Sequence, residues 1–254
     1  MSAQIADCTT LEAYAARAWP SLETEVYDHW QLRFANGYTN RANTVLPLSG
    51  STLDLNAKIA YCEAFYQQRG IAPGFKLMPA ACPPNLDAEL ERRGYTRHSE
   101  SRVMVADLTQ AKLPEPPPGI TVQLATEFSE SWLDIFCQFN PTHIKHRATM
   151  PLLLANITGQ RYFSTVRQNG AVVAVGLGVQ EGAYVGLFDI VVREDRRQQG
   201  LGRTLVASLL RRARTDGATV GYLQVVAQNA PAIRLYSQFG YQEVYPYWYR
   251  TRSE

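Results

Sequence analysis

The longest apolar run in the sequence, AVVAVGLGV at 171–179, is less than half the stretch of about 20 residues that a membrane-spanning helix needs. No membrane partner is therefore expected. Cysteine is scarce, and Cys8, Cys62, Cys82 and Cys137 stand apart without a CxxC pair. That reads as reduced thiols, not a disulfide frame or a zinc site, so no metal is expected. An excess of one charge is also missing. Lys and Arg total 25 against 23 Asp and Glu, a net charge of +2, so no global field draws the chain to nucleic acid. The opening stretch MSAQIADCTTLEAYA has neither a basic n-region nor an apolar h-region, so no export signal and a cytoplasmic location are expected. What remains is 46% hydrophobic and 19% charged, which is the balance of a globular chain able to bury a core.

Proline is concentrated in TQAKLPEPPPGI, 109–120. Proline fixes φ and removes donors, so this stretch is expected to be an extended linker over 109–119. It separates a domain at 1–108 from one at 120–254. In the first half, TLEAYAARAW predicts a helix and YDHWQLRF a strand. LDLNAKIAYCEAFYQQRG places Leu55, Ile59, Cys62, Phe65 and Tyr66 at helical spacing and stops at Gly70. FKLM, NLDAELERRGY and SRVMVADL predict strand, helix and strand. In the second half, RYFSTVRQNGAVVAVGLGVQEGAYVGLFDIVV predicts three strands broken at Asn169-Gly170 and Glu181-Gly182. A helix follows from about Leu201 to Arg214, then strand YLQVV, helix NAPAIRLYSQFG and the aromatic strand YQEVYPYWYR. LERRGYTRHSE and LYSQFGYQEVY both run helix, Gly-Tyr, strand, a faint internal repeat.

Between the strand FDIVV and the long helix stands RQQGLG, with Arg193, Arg196, Arg197 and Arg203 around it. A dinucleotide fingerprint needs a third glycine, and position 205 is Leu. A phosphate loop of the Walker type needs Gly-Lys-Ser/Thr, which is absent. The remaining reading is Arg-x-x-Gly-x-Gly at a strand-to-helix junction. Glycine there lets the chain turn tightly, and the free N–H groups of the helix start make a cradle for pyrophosphate.

The segment from about Val172 to Arg250 resembles the GNAT superfamily, the Gcn5-related N-acetyltransferases. The resemblance rests on LFDIVV, RRQQGLG, RTLVASLLRRAR, YLQVV and QNAPAIRLYSQFGY in that order. The last piece is similar to the family's Asn-x-x-Ala-x-x-x-Tyr-x-x-x-Gly-Phe/Tyr pattern, here Asn229, Ala232, Tyr236, Gly240 and Tyr241. The first half resembles the superfamily only in outline, as a degenerate copy in a tandem arrangement. The fold class this implies is α/β, two GNAT-like halves, each a mixed, mostly antiparallel sheet flanked by helices.

The resemblance also implies roles. Ile190, Val191 and Val192 would pair through their backbone with the pantetheine arm of acetyl-CoA. The loop of Arg197, Gln198, Gln199, Gly200, Leu201, Gly202, Arg203 and Thr204 would take the pyrophosphate. Asn229 and Ala232 belong to the same cofactor motif, with Asn229 bonding the pantetheine. Tyr236 would protonate the leaving thiolate as a general acid. Many superfamily members carry a glutamate base in the second central strand, where this sequence has Gln224. Asp189 is the first substitute for the base, and His143, His146 or a water chain are alternatives. Arg33, Arg41 and Asn43 could face a cleft between the halves. The activity implied is transfer of acetyl from acetyl-CoA to an amine, on an acceptor expected to be a small molecule. The alternative is a non-catalytic acyl-CoA-binding or interaction module. Oligomeric state is left open.

Overall fold

The computed structural model describes residues 6–50 and 52–252. Its strands are β1 (Glu23–Tyr27), β2 (Trp30–Phe34), β3 (Val45–Leu46), β4 (Gly74–Leu77), β5 (Thr96–Asp107), β6 (Ile120–Ala125), β7 (Gln160–Gln168), β8 (Ala171–Glu181), β9 (Tyr184–Val192), β10 (Val220–Val226) and β11 (Gln242–Thr251). Its helices are α1 (Cys8–Ala18), α2 (Leu55–Gln67), α3 (Leu86–Arg92), α4 (Glu130–Phe139), α5 (Thr149–Ala155), α6 (Leu201–Thr215) and α7 (Ala230–Ser237). No helix among the described residues is long and apolar enough to cross a membrane.

Local chemistry sets the boundaries. Asp7, Asp54, Ser129 and Asn229 each accept a backbone N–H with the side chain at the start of α1, α2, α4 and α7. Asn169 and Gly170 turn β7 into β8 with φ of 51° and 81°, the left-handed pair that a tight hairpin needs. The stretch YDHWQLRF is not one strand. Asp28 and His29 take φ of 42° and 68° and turn β1 into β2. The Asp28 carboxylate holds that turn by accepting from the backbone N–H groups of Thr52 and Leu53. An Asp-His pair is a weaker turn signal than Asn-Gly, which is why periodicity ran through it.

All strands join one mixed sheet in the order β1-β2-β3-β4-β11-β5-β10-β9-β8-β7-β6. Among the described residues only β3/β4 and β9/β10 are parallel. The expected sheet for each half is thus replaced by a single continuous one. The reason is an exchange at its centre: β5, from the first half, lies between β10 and β11, and β11 pairs onward with β4. The proline-rich stretch carries no helix or strand and joins β5 to β6. One core also serves both halves. Leu11, Trp19 and Tyr38 pack in the same cluster as Phe136, Phe163 and Phe188. On the opposite face α6 and α7 bury Leu205, Leu209 and Tyr236 over the same strands.

A buried polar network ties four elements near this exchange. The Glu12 carboxylate on α1 pairs with the Lys76 ammonium on β4, and both side chains are almost fully buried. The same carboxylate accepts from the Tyr245 hydroxyl on β11 at 3.1 Å and from the Gln224 amide on β10 at 3.3 Å. Burial pushes the Lys76 pKa down, and the Glu12 charge opposes that. Removing one partner would strand a charge in the interior. Lys76→Met is expected to cost about 3–5 kcal/mol in urea unfolding, and adding Glu12→Gln should recover much of the loss. Equal losses in the single and double variants would contradict this coupling.

Candidate functional site

The parallel strands β9 and β10 pair only from Tyr184↔Val220 to Leu187↔Leu223 and then part. Beyond that point the side of β9 from Phe188 to Val192 has no strand partner toward β10. On the other side β9 stays paired to β8, with Val191↔Val175 and Val192↔Ala174. A register shift between Val175 and Leu177 puts an extra β9 residue into this ladder. Asp189 sits in that bulge at φ 51°, a left-handed conformation rare for a residue with a side chain. Its Oδ2 is buried and has no hydrogen-bond partner among the described residues. Burial raises its pKa to about 7, and the Arg41 charge pulls the other way. Across the fork, the Gln224 Oε1 is likewise buried without a partner. Each splayed strand therefore presents an unsatisfied oxygen at the point where pairing stops.

The loop after β9 makes a short 3-10 turn, Glu194–Arg196, in which Asp195 pairs with Arg193 at 2.7 Å and with Arg196 at 3.5 Å. Gln198 and Gly200 are both left-handed, at φ 62° and 77°. Gly200 is the N-cap of α6, and no side chain caps this end. The first backbone hydrogen bond back into the helix start runs from Thr204 N to Gly200 O. The N–H groups of Leu201, Gly202 and Arg203 thus point out from the positive end of a 15-residue helix. Gly202 has a different task from Gly200. A Cβ there would lie 3.3 Å from Leu235 on α7 and 3.5 Å from Val192 at the end of β9. Its missing side chain lets α6, α7 and β9 converge, which brings the loop to the mouth of the fork.

On α7, Asn229 is exposed and its Oδ1 accepts from the Ala232 N–H at 3.2 Å, so this oxygen is the helix cap. Tyr236 is buried beside Tyr241 with ring centroids 6.0 Å apart. Burial raises its pKa to about 12.

The other end of the fork is closed by residues from both halves. Arg41, in the 3-10 turn Asn40–Ala42, lays its guanidinium 5.5 Å from the Phe188 ring centroid and 5.3 Å from that of Trp19. Tyr38 bonds His143 Nδ1 at 3.0 Å. Its ring also lies 5.2 Å from that of His146. Burial lowers the pKa of both histidines, with His146 and Arg41 adding to the effect at His143. The Tyr38 hydroxyl is raised by burial and by the Asp189 charge. A cleft of about 530 Å³ opens between the loop at Tyr38–Asn40 and the 3-10 turn Pro141–His146.

The profile of the family described as "Probable histone acetyltransferase Rv0428c C-terminal" matches residues 5–250. The chain belongs to this family. It is an acetyltransferase of the GNAT type. An uncharacterized N-acetyltransferase of Bacillus subtilis is 27% identical over 97% of this chain and 99% of its own. A probable histone acetyltransferase of Mycobacterium tuberculosis is 27% identical over 85% of this chain, which spans 65% of that relative. The [ribosomal protein bS18]-alanine N-acetyltransferase of Escherichia coli is 36% identical over only 35% of this chain and 61% of its own. Among solved structures, a GCN5-related N-acetyltransferase from Kribbella flavida shares the fold at TM-score 0.73, with 15% identity over 99% of this chain and 97% of that one. A tandem GNAT protein from the clavulanic acid biosynthesis pathway aligns at TM-score 0.63 with 14% identity, over 78% of this chain and 70% of its own.

Within this acetyltransferase the sequence-predicted residues fall into two groups. Ile190, Val191, Val192 and the loop Arg197–Thr204 meet α7 through the contact at Gly202. Asp189 and His143 lie at the other end of the fork and are linked through Tyr38 and Arg41. Arg33 and Asn43 do not face a cleft. Arg33 is buried and donates to the carbonyls of Ala16, Trp19 and Arg41, and Asn43 holds the loop at Tyr38–Thr39. Tyr38, Trp19 and Glu12 carry no motif, and no local pattern in the sequence marks them.

Proposed function

We propose that this chain transfers acetyl from acetyl-CoA to an amine by direct attack in a ternary complex. The observation that carries this reading is the parting of β9 from β10 after Leu187↔Leu223, with the start of α6 at its mouth. The side of Ile190 to Val192 that faces away from β8 has no strand partner and offers hydrogen bonds to the two amides of a pantetheine arm. The outward N–H groups of Leu201, Gly202 and Arg203 offer an anion site to a pyrophosphate. At the fork Asp189 takes the proton of the attacking amine. The nitrogen bonds to the thioester carbon, and β9 backbone N–H groups hold the developing oxyanion. The carbon–sulfur bond then breaks and Tyr236 protonates the leaving thiolate. With a pKa of about 12, Tyr236 keeps its proton at neutral pH and can serve as the acid.

The competing reading is a silent acyl-CoA-binding module, favoured by Gln224 where superfamily members often place a carboxylate. Titration calorimetry with acetyl-CoA, followed by thiol release in the presence of amines, separates the two. Tyr236→Phe is expected to slow transfer about 10- to 100-fold while the Kd for acetyl-CoA stays within about twofold. Binding of acetyl-CoA without amine-dependent thiol release from any acceptor would support the silent module.

A further inference from the structure

A half-buried guanidinium normally finds a carboxylate or a carbonyl, because its five donors are costly to leave unused away from water. Arg41 has neither. Among the described residues its guanidinium makes only ring contacts, over Trp19 and Phe188. It stands one residue from Asn40, which lines the cleft, and its charge acts on both Asp189 and His143. The cleft itself is lined by Lys145, His143, His146 and neutral polar residues, with no carboxylate among them. The nearby acids on α4, Glu130 and Asp134, are taken up by Arg147 at 2.5 and 2.9 Å. The Glu12 carboxylate behind Gln224 is spent on Lys76, Tyr245 and Gln224. Among the described residues Asp189 is thus the acid at this end of the fork that keeps an oxygen without a hydrogen-bond partner, and Arg41 and Tyr38 lie close enough to feel its charge.

That arrangement suits a particular acceptor. A polyamine or a lysine-rich peptide would bring several positive charges against Arg41 and Lys145 with nothing to offset them. A lone amine beside a carboxylate matches the charges in order, amine toward Asp189 and carboxylate toward Arg41. The guanidinium is planar, lies over two rings and can hold a carboxylate through two parallel N–H···O bonds. A cleft of about 530 Å³ is of small-molecule size. Resting on the acetyl-transfer reading above, we infer that the acceptor is a small amine that carries a carboxylate, held by Arg41 with help from Lys145.

The test compares free amino acids, the matching amino acid amides, and polyamines or lysine-rich peptides as acceptors in the presence of acetyl-CoA. The carboxylate-bearing acceptors should exceed their amides in kcat/KM by about 10-fold or more. Arg41→Gln should bring that ratio close to one, chiefly through KM, while the Kd for acetyl-CoA is unchanged. Arg41→Lys should restore part of the preference, since it keeps the charge and loses the fork. Lys145→Met, at an exposed position, should weaken the preference by a smaller factor without disturbing the packing around Arg41, which guards against misfolding of the Arg41 variants. A second readout does not need turnover: N-acetyl amino acids should bind the CoA complex more tightly than their amides, and Arg41→Gln should remove the difference. Equal use of acids and amides, a preference for polycations, or a preference unchanged in Arg41→Gln would overturn the inference and leave acetyl transfer standing. If no amine is acetylated, the transfer reading itself fails, and the binding comparison still decides whether Arg41 is a carboxylate site.

Discussion

Asp189→Asn is expected to lower the rate of acetyl transfer about 10²- to 10⁴-fold, the range for removing a positioned general base. Acetyl-CoA should still bind, since the cradle at α6 and the backbone of β9 are untouched. The same substitution should make the protein more stable, and that pairing of effects is the informative part. Asp189 Oδ2 is buried without a partner, and the raised pKa states that the folded chain disfavours the charged form. The folded value is about 7 against an ordinary 3.8, so folding takes up a proton between those limits. Stability is therefore greatest below pH 4 on this account, falls as pH rises toward 7, and stays low above it. Asn carries no charge, so the variant should lack this slope and gain about 1–3 kcal/mol at pH 8, read from urea midpoints. The kcat/KM of the wild type should rise through pH 7 as the base ionises, and the residual activity of the variant should be flat there. A destabilised Asp189→Asn, with activity reduced only in proportion to folded protein, would make Asp189 a structural residue. The base would then have to be sought at His143 or His146.

The left-handed backbone at Asp189 belongs with this reading. A side chain held at φ 51° in a bulge is a strained choice that a strand does not need for pairing. What it achieves is position. The bulge sets Asp189 just past the point where the ladder to β10 ends, within electrostatic reach of Arg41 and Tyr38.

How far the sequence showed this follows the range of the interactions involved. Leu55, Ile59, Cys62, Phe65 and Tyr66 reveal α2 because one helix face repeats every three to four positions, which is local information. Asn169-Gly170 reveals the β7/β8 turn for the same reason. The loop motif around Gly200 is also local, and the loop, the start of α6 and α7 were legible together. The insertion of β5 between β10 and β11 was not. It pairs Val105 with both Tyr222 and Gln242, and strand alternation says nothing about which distant strand is the neighbour. The candidate acceptor end suffered most. Tyr38 and His143 are 105 positions apart, and neither sits in a motif. From the sequence alone Gln224 stands where a superfamily acid often sits. The structure shows instead an amide that donates to Glu12, a carboxylate from the first helix that periodicity marks only as one more helix residue. The division of labour between Gly200 and Gly202 was hidden for a similar reason. Only the packing of Leu235 and Val192 separates a turn glycine from a contact glycine.

That division makes Gly200→Glu the sharpest test of the cradle. Gly200 has φ 77°, and a Cβ built there meets no atom within 4 Å. The fold can therefore hold a side chain at this point, at about 1–2 kcal/mol for the left-handed backbone. A carboxylate at the N-cap even suits the positive end of α6, so the helix should survive. It would occupy the field that a pyrophosphate needs. Two like charges about 4 Å apart near a protein surface repel by about 4 kcal/mol, so the Kd for acetyl-CoA should rise about 10³-fold. Gly200→Ala carries the backbone strain without the charge and should weaken binding far less. S-acetylpantetheine lacks the pyrophosphate, and wild type and Gly200→Glu should bind it alike. If Gly200→Glu binds acetyl-CoA as the wild type does, the outward N–H groups of α6 are not its anion site. If Gly200→Ala is as damaged as Gly200→Glu, conformation rather than charge governs the loop. A loss confined to Gly200→Glu and to the pyrophosphate-bearing ligand would assign the start of α6 to the diphosphate and leave the fork to the acetyl group and the amine.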